Sequence, residues 1–178
     1  MVDRKRTVSV NARENRGAFL RLWRMALPVI LLSGFIWLFG AASAGAAELQ
    51  IPSLKAKAGQ EIRVPLIIDQ IGNLAGVKLV LHYDKEFLAF KEGNKSPATQ
   101  SLMHIINDKT PGKLIIVMAG ARGIQGKGVT ILTLDFAVKK GIEGSHTTLI
   151  EIPEVQLMGD DLKEIECKAK PGTIVIQP

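Results

Sequence analysis

Cysteine is almost absent from this 178-residue sequence, in which Cys167 is the only one. A single cysteine cannot form a disulfide within the chain, so packing must stabilise the fold. In the alternating stretch DLKEIECKAKPG, Cys167 shares one strand face with Ile165 and Ala169. This pattern predicts a small buried core residue and lacks the basic or helical surroundings that activate a catalytic thiol.

Aromatic residues are also scarce, and both tryptophans lie before position 40. The aromatic residues beyond position 47 are Tyr83, Phe87, Phe90 and Phe136. The three phenylalanines lie at core-like positions of alternating runs. Since planar sugar-binding platforms usually need exposed aromatic rings, this scarcity disfavours a polysaccharide-binding module.

The patterns that accompany catalysis or metal binding are missing as well. His82, His104 and His146 lie far apart, without metal-ligand spacing. No G-x-S-x-G elbow or D-x-[DN]-x-[DN]-G calcium loop is present, and GARGIQGKG lacks the P-loop ending. Asp160 and Asp161 are adjacent in a turn, where carboxylates are usually solvated. We therefore expect no enzyme activity, no cofactor and no metal.

Positive charge is concentrated at the start of the chain. Residues 1–24 hold seven of the 23 Lys/Arg and two of the 17 Asp/Glu, which leaves 16 basic and 15 acidic residues beyond them. The remainder is nearly neutral, so it has no basic field to attract nucleic acid.

The basic segment is followed by the uncharged run MALPVILLSGFIWLFG and then by AASAGAA. This order is typical of a secretory signal peptide, which we place at residues 1–47, with a mature N-terminus between Gly45 and Glu48. The alternative is an uncleaved anchor, but the run is shorter than the ~20 residues of a spanning helix. We expect an exported protein that is periplasmic, cell-surface or secreted, with membrane contact only through a retained leader.

Residues 48–178 are long enough for one domain and alternate with a period of two. The segments between the apolar runs, among them QIGNLAG and ARGIQGKG, read as turns. A change of phase after Pro153 predicts a bulge or break, because a one-residue slip exchanges the two faces of a strand. Without a sustained helical period, the pattern predicts an all-β, antiparallel two-sheet sandwich of jelly-roll type.

The stretch LVLHYDKEFLAF interrupts one of these strands. Tyr83 ends the inward-facing positions of the strand, and Asp84 suits a tight turn because its carboxylate can accept a backbone N–H two residues on. Phe87, Leu88 and Phe90 then return to the core. A structural role for Tyr83 and Asp84 is favoured over ligand binding.

The order of these features resembles a cohesin domain across the whole of residues 48–178. The matching pieces are AGQEIRVPLIID, LAGVKLVLHYDKEFLAF, GKGVTILTLDFAVKK and PGTIVI. The resemblance implies a sandwich of eight or nine strands and a non-catalytic module that binds dockerins through one sheet. That sheet should comprise residues 76–83, 103–108, 114–119 and the region 147–157.

The resemblance also suggests which residues bind a partner. They are Gly76, Lys78, Val80, His82, Ile115 and Val117. Type I cohesins carry Asn and Asp where this chain has Gly76 and Lys78, so the resemblance leaves two protein partners open, a dockerin-like module or another envelope component. Val80 and alternate residues of LIIVM form an apolar patch, lie under loops or are ordinary apolar residues of the surface. The other class of function is polysaccharide binding, and a link to polysaccharide-degrading assemblies is a further expectation.

Overall fold

The computed structural model describes residues 46–178, and nearly every element in them is a β-strand. The strands are β1 Ala47–Gln50, β2 Leu54–Lys57, β3 Glu61–Tyr83, β4 Leu88–Lys95, β5 Met103–Asn107, β6 Lys113–Val138, β7 His146–Gly159, β8 Glu164–Ile165, β9 Cys167–Lys170 and β10 Gly172–Gln177. No helix in this part of the chain is long and apolar enough to cross a membrane. The predicted leader lies outside the described residues, except for its last two positions.

Two long strands, β3 and β6, build both sheets of the predicted all-β sandwich. The first part of β3 pairs with the last part of β6, with β1 and β4 on either side. The last part of β3 pairs with the first part of β6, with β7 and β5 on either side. The antiparallel jelly-roll sandwich is confirmed, with two parallel pairings, β1 with β9 and β2 with β10.

The sequence suggested that the glycine-rich segments QIGNLAG and ARGIQGKG are turns, and this prediction is wrong. They pair with one another, Ile71 opposite Gly126 and Leu74 opposite Ile124, through register shifts that carry both strands from one sheet to the other. A side chain at Gly123 would overlap Asn73, so glycine permits this close backbone approach. The runs on either side of QIGNLAG therefore form one bent strand, β3, and the runs on either side of ARGIQGKG form another, β6.

The core lies between the two sheets and is formed by the inward-facing side of the alternating apolar runs. Ile62, Val64, Leu66 and Ile68 of β3 and Leu132, Leu134, Phe136 and Val138 of β6 are buried. The rings of Tyr83 and Phe90 pack edge-on against Phe136, with centroid distances of 5.1 and 5.7 Å. Residues 46–178 hold this core within one compact unit, so we expect this unit to fold by itself.

The turn at Tyr83 and Asp84 has the structural role that the sequence predicted. The Asp84 Oδ1 accepts the backbone N–H of Glu86 at 2.8 Å. The Asp84 carbonyl accepts the N–H groups of Phe87 and Leu88 at 3.2 and 2.9 Å. These bonds close the turn and return the chain to the core at Leu88, which is buried.

The irregularity predicted at Pro153 is a β-bulge in a continuous strand. Val80 lies opposite Glu154 and His82 lies opposite Glu151, so β7 has one more residue than β3 between these pairs. The extra residue exchanges the faces, which lets Ile150 and Leu157 both reach the core although their sequence phases differ.

Cys167 and Asp160 differ in detail from their predicted settings. Cys167 is half-buried and packs against the core rather than lying within it, and burial raises the pKa of its thiol. Asp160 is exposed, but its Oδ1 accepts Asn73 Nδ2 at 2.6 Å and its Oδ2 accepts the Gly123 N–H at 3.0 Å. These bonds lower the pKa of Asp160, the Gly123 N–H contributing most, and they tie the turn after β7 to the bends of β3 and β6.

Candidate partner-binding face

The outward side of the sheet β5–β6–β3–β7 is a regular grid of side chains, which we call the four-strand face. Strand register places three rows across it: Met103, Ala119, Gly76 and Met158; Ile105, Val117, Lys78 and Gln156; Asn107, Ile115, Val80 and Glu154. His82, opposite Lys113 and Glu151, ends the face. All six predicted partner-binding residues therefore lie on one surface.

An apolar stripe runs along β5 and β6 within this face. Met103, Ile105 and Val117 are 75%, 68% and 43% exposed. They account for three of the five large hydrophobic side chains that are exposed among residues 46–178. Ile115 extends the stripe as a half-buried neighbour. A contiguous exposed apolar surface of this kind usually marks a contact with another molecule.

Lys78 already has an acidic partner within the chain. Its Nζ lies 2.5 Å from Glu154 Oε1, and the two side chains are 47% and 50% exposed. An unpaired lysine at this position would attract an acidic group on a binding partner. The bulge at Pro153 instead places Glu154 beside it, so a partner meets a paired charge rather than a free cation.

Val80 points outward as predicted but is only 8% exposed. Its neighbours Leu79 and Leu81 belong to the hydrophobic core, whereas Val80 does not. Ile115 and Glu154 flank it on the adjacent strands. Val80 is therefore largely covered by its neighbours within the face, so we expect a charge placed there to lower stability.

Gly76 and His82 lie at opposite ends of β3 on this face. Gly76 and its neighbour Ala119 are small residues. The surface is therefore recessed at these two residues, between the larger side chains of Met103 and Met158. His82 is exposed and borders a shallow depression with Asp84 and Glu151. No cluster of three or more His, Cys, Asp or Glu side chains that could hold a metal is found in residues 46–178.

The sequence placed the segments of Met103, Ile105 and Glu154 in this sheet but did not identify these three residues as partner-binding ones. In β5, MHIIN, apolar side chains occupy both faces of the strand, since Ile106 packs inward while Ile105 points outward. The alternation of residues alone therefore does not show which side chains of β5 face the core and which face outward. Glu154 depends on the bulge, whose register appears only in the folded sheet.

The family model for the cohesin domain matches residues 47–176. The chain belongs to the cohesin family. No curated protein sequence matches this cohesin. The match begins at the first residue of β1 and ends one residue before the end of β10, so the cohesin domain and the described sandwich coincide.

Solved cohesin structures share this fold at low sequence identity. A non-cellulosomal cohesin from the archaeon Archaeoglobus fulgidus is 18% identical, with a TM-score of 0.67 over 75% of this chain and 93% of that chain. CaCohA2 from Clostridium acetobutylicum is 18% identical, with a TM-score of 0.66 over 74% of this chain and 91% of its own. The OlpA cohesin from Clostridium thermocellum, solved with Doc918, is 18% identical, with a TM-score of 0.66 over 74% and 99%.

Proposed function

We propose that this cohesin is an exported, non-catalytic module that binds a protein partner through the four-strand face. The observation that carries the proposal is the exposure of Met103, Ile105 and Val117 at neighbouring positions of one sheet. Polar side chains, among them Asn107 and Gln156, border this stripe. An apolar centre with a polar rim is the usual anatomy of a protein–protein interface.

A protein of dockerin type is the partner that the family favours. The OlpA cohesin and other cohesin structures similar to this chain were solved in complexes with dockerins. This chain departs from type I cohesins at Gly76 and Lys78, where polar acceptors are expected. Binding of the partner should therefore depend on apolar contact with Val117 and Ile105 more than on hydrogen bonds to the part of β3 around Gly76 and Lys78.

The Lys78–Glu154 pair adds a chemical preference. A partner that covers the pair must match both charges, because desolvating one without compensation is costly. A partner with a polar or oppositely paired group at this point, beside an apolar ridge, fits the face. Any role in polysaccharide-degrading assemblies would then come from what the partner carries.

Polysaccharide binding is the weaker candidate. None of the four aromatic side chains in residues 46–178 is exposed, because Phe136 is buried and the others pack partly against the core. A sugar-stacking platform of aromatic rings is therefore missing from the part of the chain that the structure describes.

A capture experiment tests the proposal. Residues 46–178 and the Val117→Glu variant serve as matched baits for the host's secreted and envelope fractions, followed by identification of proteins and glycans. We expect a protein that the unmodified bait retains and the variant loses. Equal capture by both baits, or retention of glycan alone, would overturn the proposal.

A further inference from the structure

The outer strand of the four-strand sheet has an open backbone edge. β5 pairs only with β6 among the strands of residues 46–178. On its other side, Met103–Asn107 joins no strand in this part of the chain. An edge strand of this kind can pair with a strand from another molecule.

β5 lacks the protection that the other border strands carry. β2, β4 and β9 each contain at least two charged side chains, and the two-residue β8 contains Glu164. Such charges discourage pairing between molecules. β5 contains no Lys, Arg, Asp or Glu, and two of its five side chains are large, apolar and exposed. The contrast singles out this edge.

The edge is also held in a fixed position. On the inner side of β5, His104 Nε2 lies 3.2 Å from the Gly93 carbonyl oxygen. Ile106 packs so closely on Gly93 that a side chain there would overlap its Cδ1. Because these contacts anchor β5 from within, the strand is already extended and little ordering would be needed for pairing.

We propose that β5 pairs antiparallel with β5 of a second copy of this chain, about a two-fold axis at Ile105. In this register the two Ile105 side chains are neighbours, and Met103 lies opposite Asn107 of the second copy. Antiparallel self-pairing is a closed, isologous contact, in which one surface serves both molecules. The two four-strand faces become one continuous surface.

Charge complementarity favours a second copy as the occupant. The register places Asp108 opposite Leu102 of the second copy. In each copy, Lys95 Nζ donates to the carbonyl oxygens of Gln100 and Leu102 at 2.9 and 2.8 Å. Asp108 of one copy therefore approaches Lys95 of the other, and symmetry makes this contact twice. Lys109 lies opposite Ser101, so no like charges are opposed.

The contact leaves Val117 and Lys78 free, because they lie on β6 and β3 behind the edge. Each dimer would present two partner sites on one side, which raises avidity towards a repeated partner. The pairing itself is independent of the protein-binding role proposed above.

Cysteine cross-linking in the full chain tests the register. Cys167→Ser is first introduced, and Ile105→Cys is oxidised with diamide. We expect a disulfide-linked dimer, because directly opposed residues of an antiparallel pair have Cα atoms about 4.5–5.5 Å apart, within disulfide range. Met103→Cys alone should not cross-link, because Asn107 lies opposite it, whereas Met103→Cys with Asn107→Cys should cross-link.

Val117→Cys is the matched control, since Val117 lies on the same face but one strand behind the edge. It should not cross-link, and equal cross-linking of Val117→Cys would indicate a face-to-face dimer and overturn the proposal.

Sedimentation of the unmodified chain should show a concentration-dependent dimer, and Ile105→Lys should be monomeric at the same concentrations. A monomer at all concentrations without cross-linking of Ile105→Cys would also overturn it. Val117→Glu should stay dimeric even where it loses a partner, which separates the two proposals.

Discussion

Lys78 and Glu154 form an ion pair between β3 and β7, 76 positions apart in the sequence, with Nζ 2.5 Å from Oε1. The bulge at Pro153 produces this contact, because it places Glu154 opposite Val80 and beside Lys78. The pair lies within the face that we propose for partner binding. We therefore expect its two charges to influence which partners the face accepts more than they influence stability.

The Lys78→Glu variant should separate these two effects. Because both side chains of the pair are about half exposed, we expect the free energy of unfolding to fall by less than about 1 kcal/mol. Partner association should slow and become more sensitive to salt, since two carboxylates now lie side by side. The double exchange Lys78→Glu with Glu154→Lys should restore stability, as measured by urea unfolding. A loss of several kcal/mol in the single variant would contradict this account.

Val80→Glu should reduce stability, in contrast to Val117→Glu. Val80 is nearly covered by its neighbours, so a carboxylate there loses solvation without a partner. We expect a decrease of about 1–3 kcal/mol in the free energy of unfolding. Val117 is exposed enough for the same change to stay within about 0.5 kcal/mol. Equal urea midpoints for the two variants would show that Val80 is not covered in solution.

Asp160 should contribute to the acid sensitivity of the fold. The Gly123 N–H and the Asn73 amide lower its pKa below the ordinary value of 3.8. A folded-state pKa below the unfolded value gives stability that is present above 3.8 and is lost as pH falls through the lower folded value. Asp160→Asn should flatten the decline of the thermal midpoint at acidic pH. An unchanged pH profile would mean that these bonds do not form in solution.

The mature N-terminus should lie between Gly45 and Glu48. The Ala47 N–H donates to the Glu166 carbonyl at 2.8 Å, and β1 begins there, so cleavage before Ala47 preserves the whole strand. N-terminal sequencing of the exported protein checks this expectation. A product that keeps residues 25–40 in the membrane would contradict it.

Much of the sandwich was predictable because the alternation of apolar and polar residues along a strand shows which of its faces is buried. The inward positions of β3 and β6, the Asp84 turn and the irregularity at Pro153 were all visible in the sequence. The continuity of β3 and β6 was not, since glycine-rich segments suggest turns unless two of them pair, as Ile71 and Gly126 do.

The face was only partly predictable, for a different reason. Lys78, Val80 and His82 follow from the phase of one strand. Contacts between strands require register, which the sequence does not state, so the pairing of Lys78 with Glu154 was missed. The exposure of Ile105 was missed because β5 is apolar on both of its faces.

The affinity of the captured partner for Val117→Glu tests the central claim most directly. Titration calorimetry should compare the unmodified domain, Val117→Glu and the control Leu162→Glu, whose leucine is exposed in the turn after β7 and outside the face. We expect Val117→Glu to weaken binding at least about 30-fold, or about 2 kcal/mol, and Leu162→Glu to leave it unchanged. Undiminished binding by a folded Val117→Glu domain would contradict the proposal that the four-strand face binds the partner.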